Sequence, residues 1–311
     1  MKSPGALRFS IGAGAGPGDL PRTALTAFAP AVWGTTYITT TELLPPGHPL
    51  FAALLRALPA GLVVLVITRT VPHGRWWWKA ALLGVLNIGM LNALLFIAAE
   101  RLPGGVAATL AAAQPLIVAV LAVVVLHERA SMWRLAWGVV GVAGVGLVVL
   151  GPAAALDAVG VMAGLASAGS MALGLTLTKR WGRPEGVGPV TFAGWQLTAG
   201  GMFLLPLTVL VEGRPPAIDM TAAFGYVWLG LAGGLIAYVL WFRGITTLPV
   251  TSTAVLVLLS PLVAAVLGAA LLGQTLGPVQ LVGFALSLAA IVAGQLPAPA
   301  RPTPAPVGAR R

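Results

Sequence analysis

Apolar stretches of close to 20 residues follow one another along this chain, separated by short polar or glycine- and proline-rich breaks. They fall near 23–41, 49–68, 80–99, 104–126, 132–151, 156–177, 188–211, 221–242, 250–272 and 277–296. Each can cross a hydrocarbon core of ~30 Å. No water is available there to the backbone, so every N–H and C=O must be satisfied within the protein, and stretches of this length do so as α-helices. The pattern therefore predicts an all-α integral membrane protein of ten transmembrane helices. The polar positions inside the spans are few and ordered. Trp33, Thr36, Tyr37 and Thr40 are spaced i, i+3, i+4, i+7, which puts them on one helical face. Lipid gives such a face no reward, so it is expected to point into the bundle. Span seven repeats the idea with Thr191, Trp195 and Thr198, with Gln196 adjacent.

The spans are also written twice. "LPGGVAATLAAAQPL" runs from Leu102 to Leu116, and "LPVTSTAVLVLLSPL" from Leu248 to Leu262. Pro103 and Pro115 match Pro249 and Pro261 at a constant offset, 249 − 103 = 146. The match extends to Phe96 with Phe242, Leu126 with Leu272 and Leu135 with Leu281. Each half then holds five spans. Five is odd, so the second half enters the membrane from the opposite face. Inverted repeats of this kind form carriers whose site lies between the halves near the midplane. The expected division is 1–22 as a disordered N-terminus, 23–151 as the first repeat, 156–296 as the second and 297–311 as a disordered tail. Pro115 and Pro261 each lack an N–H and free the carbonyls of Ala111 and Val257. These prolines are either plain kinks or points where a carbonyl meets substrate.

Composition agrees and adds an orientation. Hydrophobic residues make up 58% of the chain and charged ones 8%, too few to cover a water-soluble surface. The net charge of +10 would suit nucleic acid, but its placement does not. Of 18 Lys and Arg, Arg56 is inside a span, and Arg101 and Arg214 lie on one side; the remaining 18 − 3 = 15 lie on the side of the termini. That bias predicts cytoplasmic termini and a multi-pass cell-membrane protein, with no nucleic-acid partner. "RWWWK", residues 75–79, fits an interfacial anchor. There is no cysteine, hence no disulfide and no thiol chemistry.

The candidate cavity residues are Trp33, Thr36, Tyr37, Arg56, Asn87, Asn92, Gln114, Trp195, Gln196, Tyr238, Trp241 and Ser260. Each is a polar or aromatic group inside a span, where it either holds a neighbouring helix or faces a solute. Arg56 lies seven residues from Pro49, roughly 10 Å along a helix. It snorkels, pairs with Glu42, or clamps a substrate carboxylate. No carboxylate lies mid-span, so Glu42 and Glu100 are the candidates for ion coupling.

"PAVWGTTYI", "FAALLRALPAG", "LNIGMLNALLFIAAERLPGGVAATLAAAQPLIVAVLAVVVLHER" and "WFRGITTLPVTSTAVLVLLSPLVAAVLGAALLGQ" resemble EamA-type members of the drug/metabolite transporter superfamily, over roughly residues 25–295. The wording "NIG…LPGGVAAT…QPL" is closest to a pigment-exporter branch. The resemblance implies a ten-helix inner-membrane exporter of amino acids, pigments or other small amphipathic metabolites, acting without a cofactor as a monomer or homodimer. One departure stands out: Glu128 matches the family's acidic residue after its fourth helix, whereas the second unit has Gln274. Two other classes remain in view. A channel or a structural membrane protein would show no saturable transport. An intramembrane enzyme would need a catalytic pairing, yet His48, His73 and His127 all lie in loops, no metal cluster is evident, and no catalytic residue is assigned.

Overall fold

The structure, a computed structural model, describes residues 20–127, 132–149, 157–245, 256, 259–274 and 276–296. Glu128, Val257, Thr246, the 151–156 junction, the start of the ninth span and nearly all of both predicted disordered ends lie outside them. Every element among the described residues is helical. Span one is α1 (Leu20–Gly34) and α2 (Thr36–Leu43); span two is α3 (Pro49–Thr68). Span three is α4 (Trp76–Gly84), a π-helical segment (Val85–Met90) and α5 (Leu91–Arg101). Span four is α6 (Gly104–Leu110), a 3-10 turn (Ala111–Ala113) and α7 (Gln114–Leu126); span five is α8 (Met132–Val149). The second half holds α9 (Ala158–Trp181), then α10 (Pro189–Leu207) ending in a π-segment (Thr208–Glu212). Span eight is α11 (Met220–Val227), a π-segment (Trp228–Ile236) and α12 (Ala237–Ile245); the described parts of the last two spans are α13 (Leu259–Leu272) and α14 (Pro278–Gln295). The runs Pro49–Thr68, Trp76–Arg101, Ala158–Trp181, Pro189–Glu212 and Met220–Trp241 are each long and apolar enough to cross a membrane unaided.

Two spans are more broken than their hydropathy predicts. Span one breaks at Thr35, whose N–H and Oγ1 both turn back to the Val32 carbonyl, at 3.0 and 2.7 Å. Just before the break, bare Gly34 lies against the Ser260 carbonyl and Val263 of span nine. Span four tightens into its 3-10 turn immediately before Pro115, where the missing N–H removes the helical partner of the Ala111 carbonyl. Ala111 itself is exposed, although Leu110 and Ala113 on either side are buried.

The packing reproduces the sequence repeat. Span three packs on spans six and seven, and span eight packs on spans one and two. Span four packs on span six as span nine packs on span one. Two pairs are their own counterparts, spans two with seven and five with ten. A two-fold axis lying in the membrane would make such pairs antiparallel, and they are. The end of span seven meets the start of span two, where Glu212 accepts from Leu50 N. Trp133, starting span five, donates to the Ala293 carbonyl near the end of span ten, and Gln280, starting span ten, donates to the Val148 carbonyl ending span five. The offset of 146 also carries Val85–Met90 onto Leu231–Ile236, so each half has a π-segment at the same place.

Small residues set these crossings, because helices in lipid associate by close packing rather than by a hydrophobic drive. A Cβ on Gly61 would collide with the Thr198 backbone, one on Gly201 would lie 2.7 Å from Leu58 Cα, and one on Gly144 would lie 2.7 Å from the Gly283 carbonyl. At the junction of the halves Asp157 caps α9, accepting from Gly160 N at 3.0 Å, and pairs with Arg101 at 2.8 Å. The Gly160 N–H and then the Arg101 guanidinium hold the Asp157 carboxyl below its ordinary value. Gly201→Leu is expected to overpack the span two–seven seam and cost about 1–3 kcal/mol. Gly146→Ala, where nothing lies within 4 Å, should be silent. Thermal unfolding of the two purified variants in one detergent checks this.

Candidate functional site

The pseudo-two-fold relation brings span eight against spans one and two, and a polar aromatic cluster sits at that meeting. Arg56 on α3 is its centre, only 5% exposed. Its Nη1 donates to Thr36 Oγ1 at 3.4 Å, and its guanidinium stands 5.8 Å from the ring centroid of fully buried Phe96 on α5. Its Nε has no partner. The phenols of Tyr37 on α2 and Tyr238 on α12 lie within its field. A Cβ added at Gly233 would come within 4.0 Å of Nε, so the bare turn of the π-segment Trp228–Ile236 leaves room on that side.

Trp33 ties the aromatic wall together. Its Nε1 donates to the Gly233 carbonyl at 2.9 Å, closing a group the π-turn frees. Its ring lies 5.3 Å from Tyr238 and 5.6 Å from Trp241. Trp228 Nε1 donates to Thr35 Oγ1 at 2.8 Å, holding the same two spans one turn away. A small apolar recess lies beside Tyr238, lined by Val64, Leu197, Leu235 and Val239.

Two of the three expectations for Arg56 do not survive. It is buried rather than snorkelled, and Glu42 is exposed at the end of α2 with no ion pair to it. The one ion pair among the described residues joins Arg101 to Asp157. A buried guanidinium without a counter-ion is expensive. Cation–π contact with Phe96 and the neighbouring phenols offset part of that cost. What the arrangement can do chemically is accept an anion with a flat, forked acceptor such as a carboxylate, for which guanidinium geometry is suited.

The other candidates separate into two groups. Asn87, in the first π-segment, donates to Gln196 Oε1 at 2.8 Å and to Thr178 Oγ1 at 3.4 Å, and its Oδ1 has no partner. This cluster is the repeat counterpart of the first, since 87 + 146 = 233 places Asn87 opposite Gly233. Asn92, by contrast, back-bonds to the Ile88 carbonyl at 2.9 Å within its own helix. Trp195 lies in a different packing cluster with Ala80, Leu83 and Phe192, and its indole donates to the Thr70 carbonyl. Gln114 and Ser260 are half-buried just before Pro115 and Pro261, with the Ser260 carbonyl against Gly34. Glu100 is half-buried near the N–H groups of Gly47 and His48. Phe96, Gly233 and Glu212 were not among the candidates. Phe96 is visible in the sequence only as a repeat landmark, and the other two act through contacts that no sequence spacing encodes.

Two inverted five-span halves meeting over a polar aromatic cluster define a membrane transporter, not an enzyme. The chain belongs to the EamA-like transporter family, whose model matches residues 22–150 and 158–293, one match per half. It is 43% identical to Protein PecM of Dickeya dadantii (strain 3937), over 85% of this chain and 89% of that one. It is 30% identical to a protein named Probable terminal-alkyne amino-acid exporter from Streptantibioticus cattleyicolor, over 71% of this chain and 74% of that one. It is 27% identical to the Uncharacterized inner membrane transporter YedA of Escherichia coli (strain K12), over 89% and 92%. A crystal structure superposes with a TM-score of 0.63 over 88% of this chain and 96% of its own, at 18% identity, which speaks for the shared fold alone. The chain is thus a multi-pass membrane transporter for a small-molecule substrate.

The uncompensated cation makes a stability prediction. Arg56→Met should raise the thermal unfolding temperature of the purified protein, by the equivalent of about 1 kcal/mol or more, because an apolar residue of similar volume replaces an unpaired charge. Unfolding scans beside the native protein decide it; a lowered midpoint would mean that Arg56 is already paired.

Proposed function

We propose that this transporter is an alternating-access exporter, oriented with both termini in the cytoplasm, for small amphipathic metabolites that carry a carboxylate. The observation that carries this reading is Arg56, buried at the meeting of the halves with an unpartnered Nε and, among the described residues, no ion pair to a carboxylate. A substrate acid would supply the missing charge. Trp33, Tyr37, Tyr238 and Trp241 would take up the apolar body of the solute, and Thr36 would share its polar end. The name of the relative from Streptantibioticus cattleyicolor, an amino-acid exporter, supports a substrate of this chemistry. The export direction and the orientation rest on the family resemblance and on the Lys/Arg bias. The duplicated, inverted packing supports alternation, because it offers two near-equivalent arrangements of one set of contacts. The Asn87–Gln196–Thr178 cluster is then the station that replaces the Arg56 cluster when the halves exchange roles.

The deciding experiment compares metabolites in the medium of cells that overexpress the protein with those lacking it. Acids should be enriched with the native protein. At equal membrane abundance, Arg56→Lys should lower their export at least tenfold, the factor that about 1.4 kcal/mol represents. Arg56→Gln should abolish export of acids. Undiminished acid export by Arg56→Gln would remove the clamp.

Orientation has its own measurement. The chain has no cysteine, so single cysteines can be labelled cleanly. Exposed Glu185, between spans six and seven, should resist a membrane-impermeant maleimide on intact cells when replaced by cysteine. Ile218→Cys, between spans seven and eight, should react.

A further inference from the structure

Span three begins among aromatic rings drawn from three spans. Trp76 stands edge-on to Phe192 of span seven, with ring centroids 5.7 Å apart. Trp78 stands edge-on to Trp181, the last residue of span six, at 5.0 Å. Lys79 lies between two of these held rings: its Nζ is 4.8 Å from the Trp76 centroid and 5.5 Å from that of Trp181. The side chain is half-buried. The ring faces attract the ammonium, but no carboxylate pairs with it among the described residues. Arg75 sits one turn earlier on the same face, and the Lys79 N–H reaches back to its carbonyl at 3.5 Å. Arg75 is exposed and has no ion pair there either.

The bias of cations towards this side of the membrane does not account for their placement at this point. Lys179 and Arg180 close span six, where the negative end of the helix dipole stabilises them. Arg75 and Lys79 open span three, at the positive end, with no acidic residue in the first turn. Glu185, in the loop after span six, is exposed and pairs with neither. Two cations on one face, opposed by the dipole of their own helix, call for an anion from outside the described residues. Span length says where that anion stands. Trp76–Arg101 holds 26 residues and Ala158–Trp181 holds 24, about 39 and 36 Å at 1.5 Å per residue. Both exceed a ~30 Å hydrocarbon core. Indoles favour the interface, so the tryptophans at this end place Lys79 at the depth of lipid phosphates.

We propose that Arg75, Lys79, Trp78 and Trp181 form a binding site for one anionic phospholipid of the phosphatidylglycerol class. Its phosphate would sit between the guanidinium and the ammonium. Arg75 offers a fork to two phosphate oxygens, and Lys79 a point charge fixed by the two indoles. The exposed ring of Trp78 gives the glycerol and the start of an acyl chain an apolar flank. A zwitterionic lipid carries its own cation to the same place and gains less. On the orientation proposed above, the site opens to the inner leaflet; the binding itself needs only that the chain lies in a bilayer.

The test uses the full chain, purified in a non-ionic detergent. It is titrated with phosphatidylglycerol and, separately, with phosphatidylcholine of the same acyl chains, and the first lipid bound is followed by native mass spectrometry. A basic residue near an anionic lipid contributes about 1 kcal/mol, a factor of about five. Two of them should make phosphatidylglycerol bind roughly 25-fold more tightly than phosphatidylcholine. Lys79→Gln and Arg75→Gln should each remove about one factor of five for the anionic lipid alone. Arg75 is exposed, so its variant keeps the test alive if Lys79→Gln does not fold. Lys79→Arg should retain the preference. Arg22→Gln, which removes an exposed cation at the start of span one, should leave it unchanged. Equal affinity for the two lipids would overturn the proposal and leave the cluster a plain interfacial anchor. So would an equal loss in Arg22→Gln, which would make the attraction a property of the whole face. Displacement of the lipid by inorganic phosphate at the same concentration would also overturn it, in favour of a soluble anion. The readout needs no substrate and no transport, so its failure and that of the Arg56 assay are separate results.

Discussion

Helices in hydrocarbon gain nothing from hiding apolar surface from one another, so the seam between spans two and seven must be held by how closely two backbones approach. Gly61, Gly194 and Gly201 permit that approach, against Thr198, Val64 and Leu58. Because this pair maps onto itself when the halves are exchanged, its crossing fixes where the other spans can lie. Span three reaches the seam through Gly84 and Gly89, which face Gly200. Span eight reaches it through Gly230 and Gly234, which face the backbone of Leu55 and Arg56. Widening one of these contacts displaces the segment that carries the polar clusters.

The seam also explains how Arg56 can stay buried. Its backbone carbonyl lies beneath Gly234 and its Nε beside Gly233, so the residue is enclosed by the span that would have to move to release it. The cation is therefore kept away from water by geometry, and no ion pair among the described residues neutralises it. If Arg56 holds a substrate acid as proposed, function and stability pull in opposite directions at this residue, as they do where a binding charge is held without its ligand.

Much of the architecture was legible in advance. Spans, repeat and inversion follow from hydropathy and from the proline spacing, because lipid leaves the backbone few alternatives. The helical spacing of Trp33, Thr36 and Tyr37 gave their shared face, and isolation within an apolar run marked Arg56. What the sequence hid is of another kind. The π-segments depend on which carbonyls find donors on neighbouring spans: Ser170 and Ser167 on α9 serve Leu86 and Leu91, and Trp33 serves Gly233. Trp195 carried the same amphipathic signature as Trp33 but buries its indole against Thr70, a difference set by which helix lies opposite. Glu212 reads as a loop residue after an apolar run, because a cap across two halves leaves no local spacing to find.

The matched π-segments bear on the order of events in this chain's past. A π-turn holds one residue more than the α-turn it replaces, so each records an extra position lodged within an old helix. Both sit at the same place under the offset of 146, and their last residues, Met90 and Ile236, coincide under it. Two separate insertions arriving at one turn is the costlier history. The economical one places the insertion in a single five-helix ancestor, before duplication, so the wide turn is older than the two-half protein that now uses it.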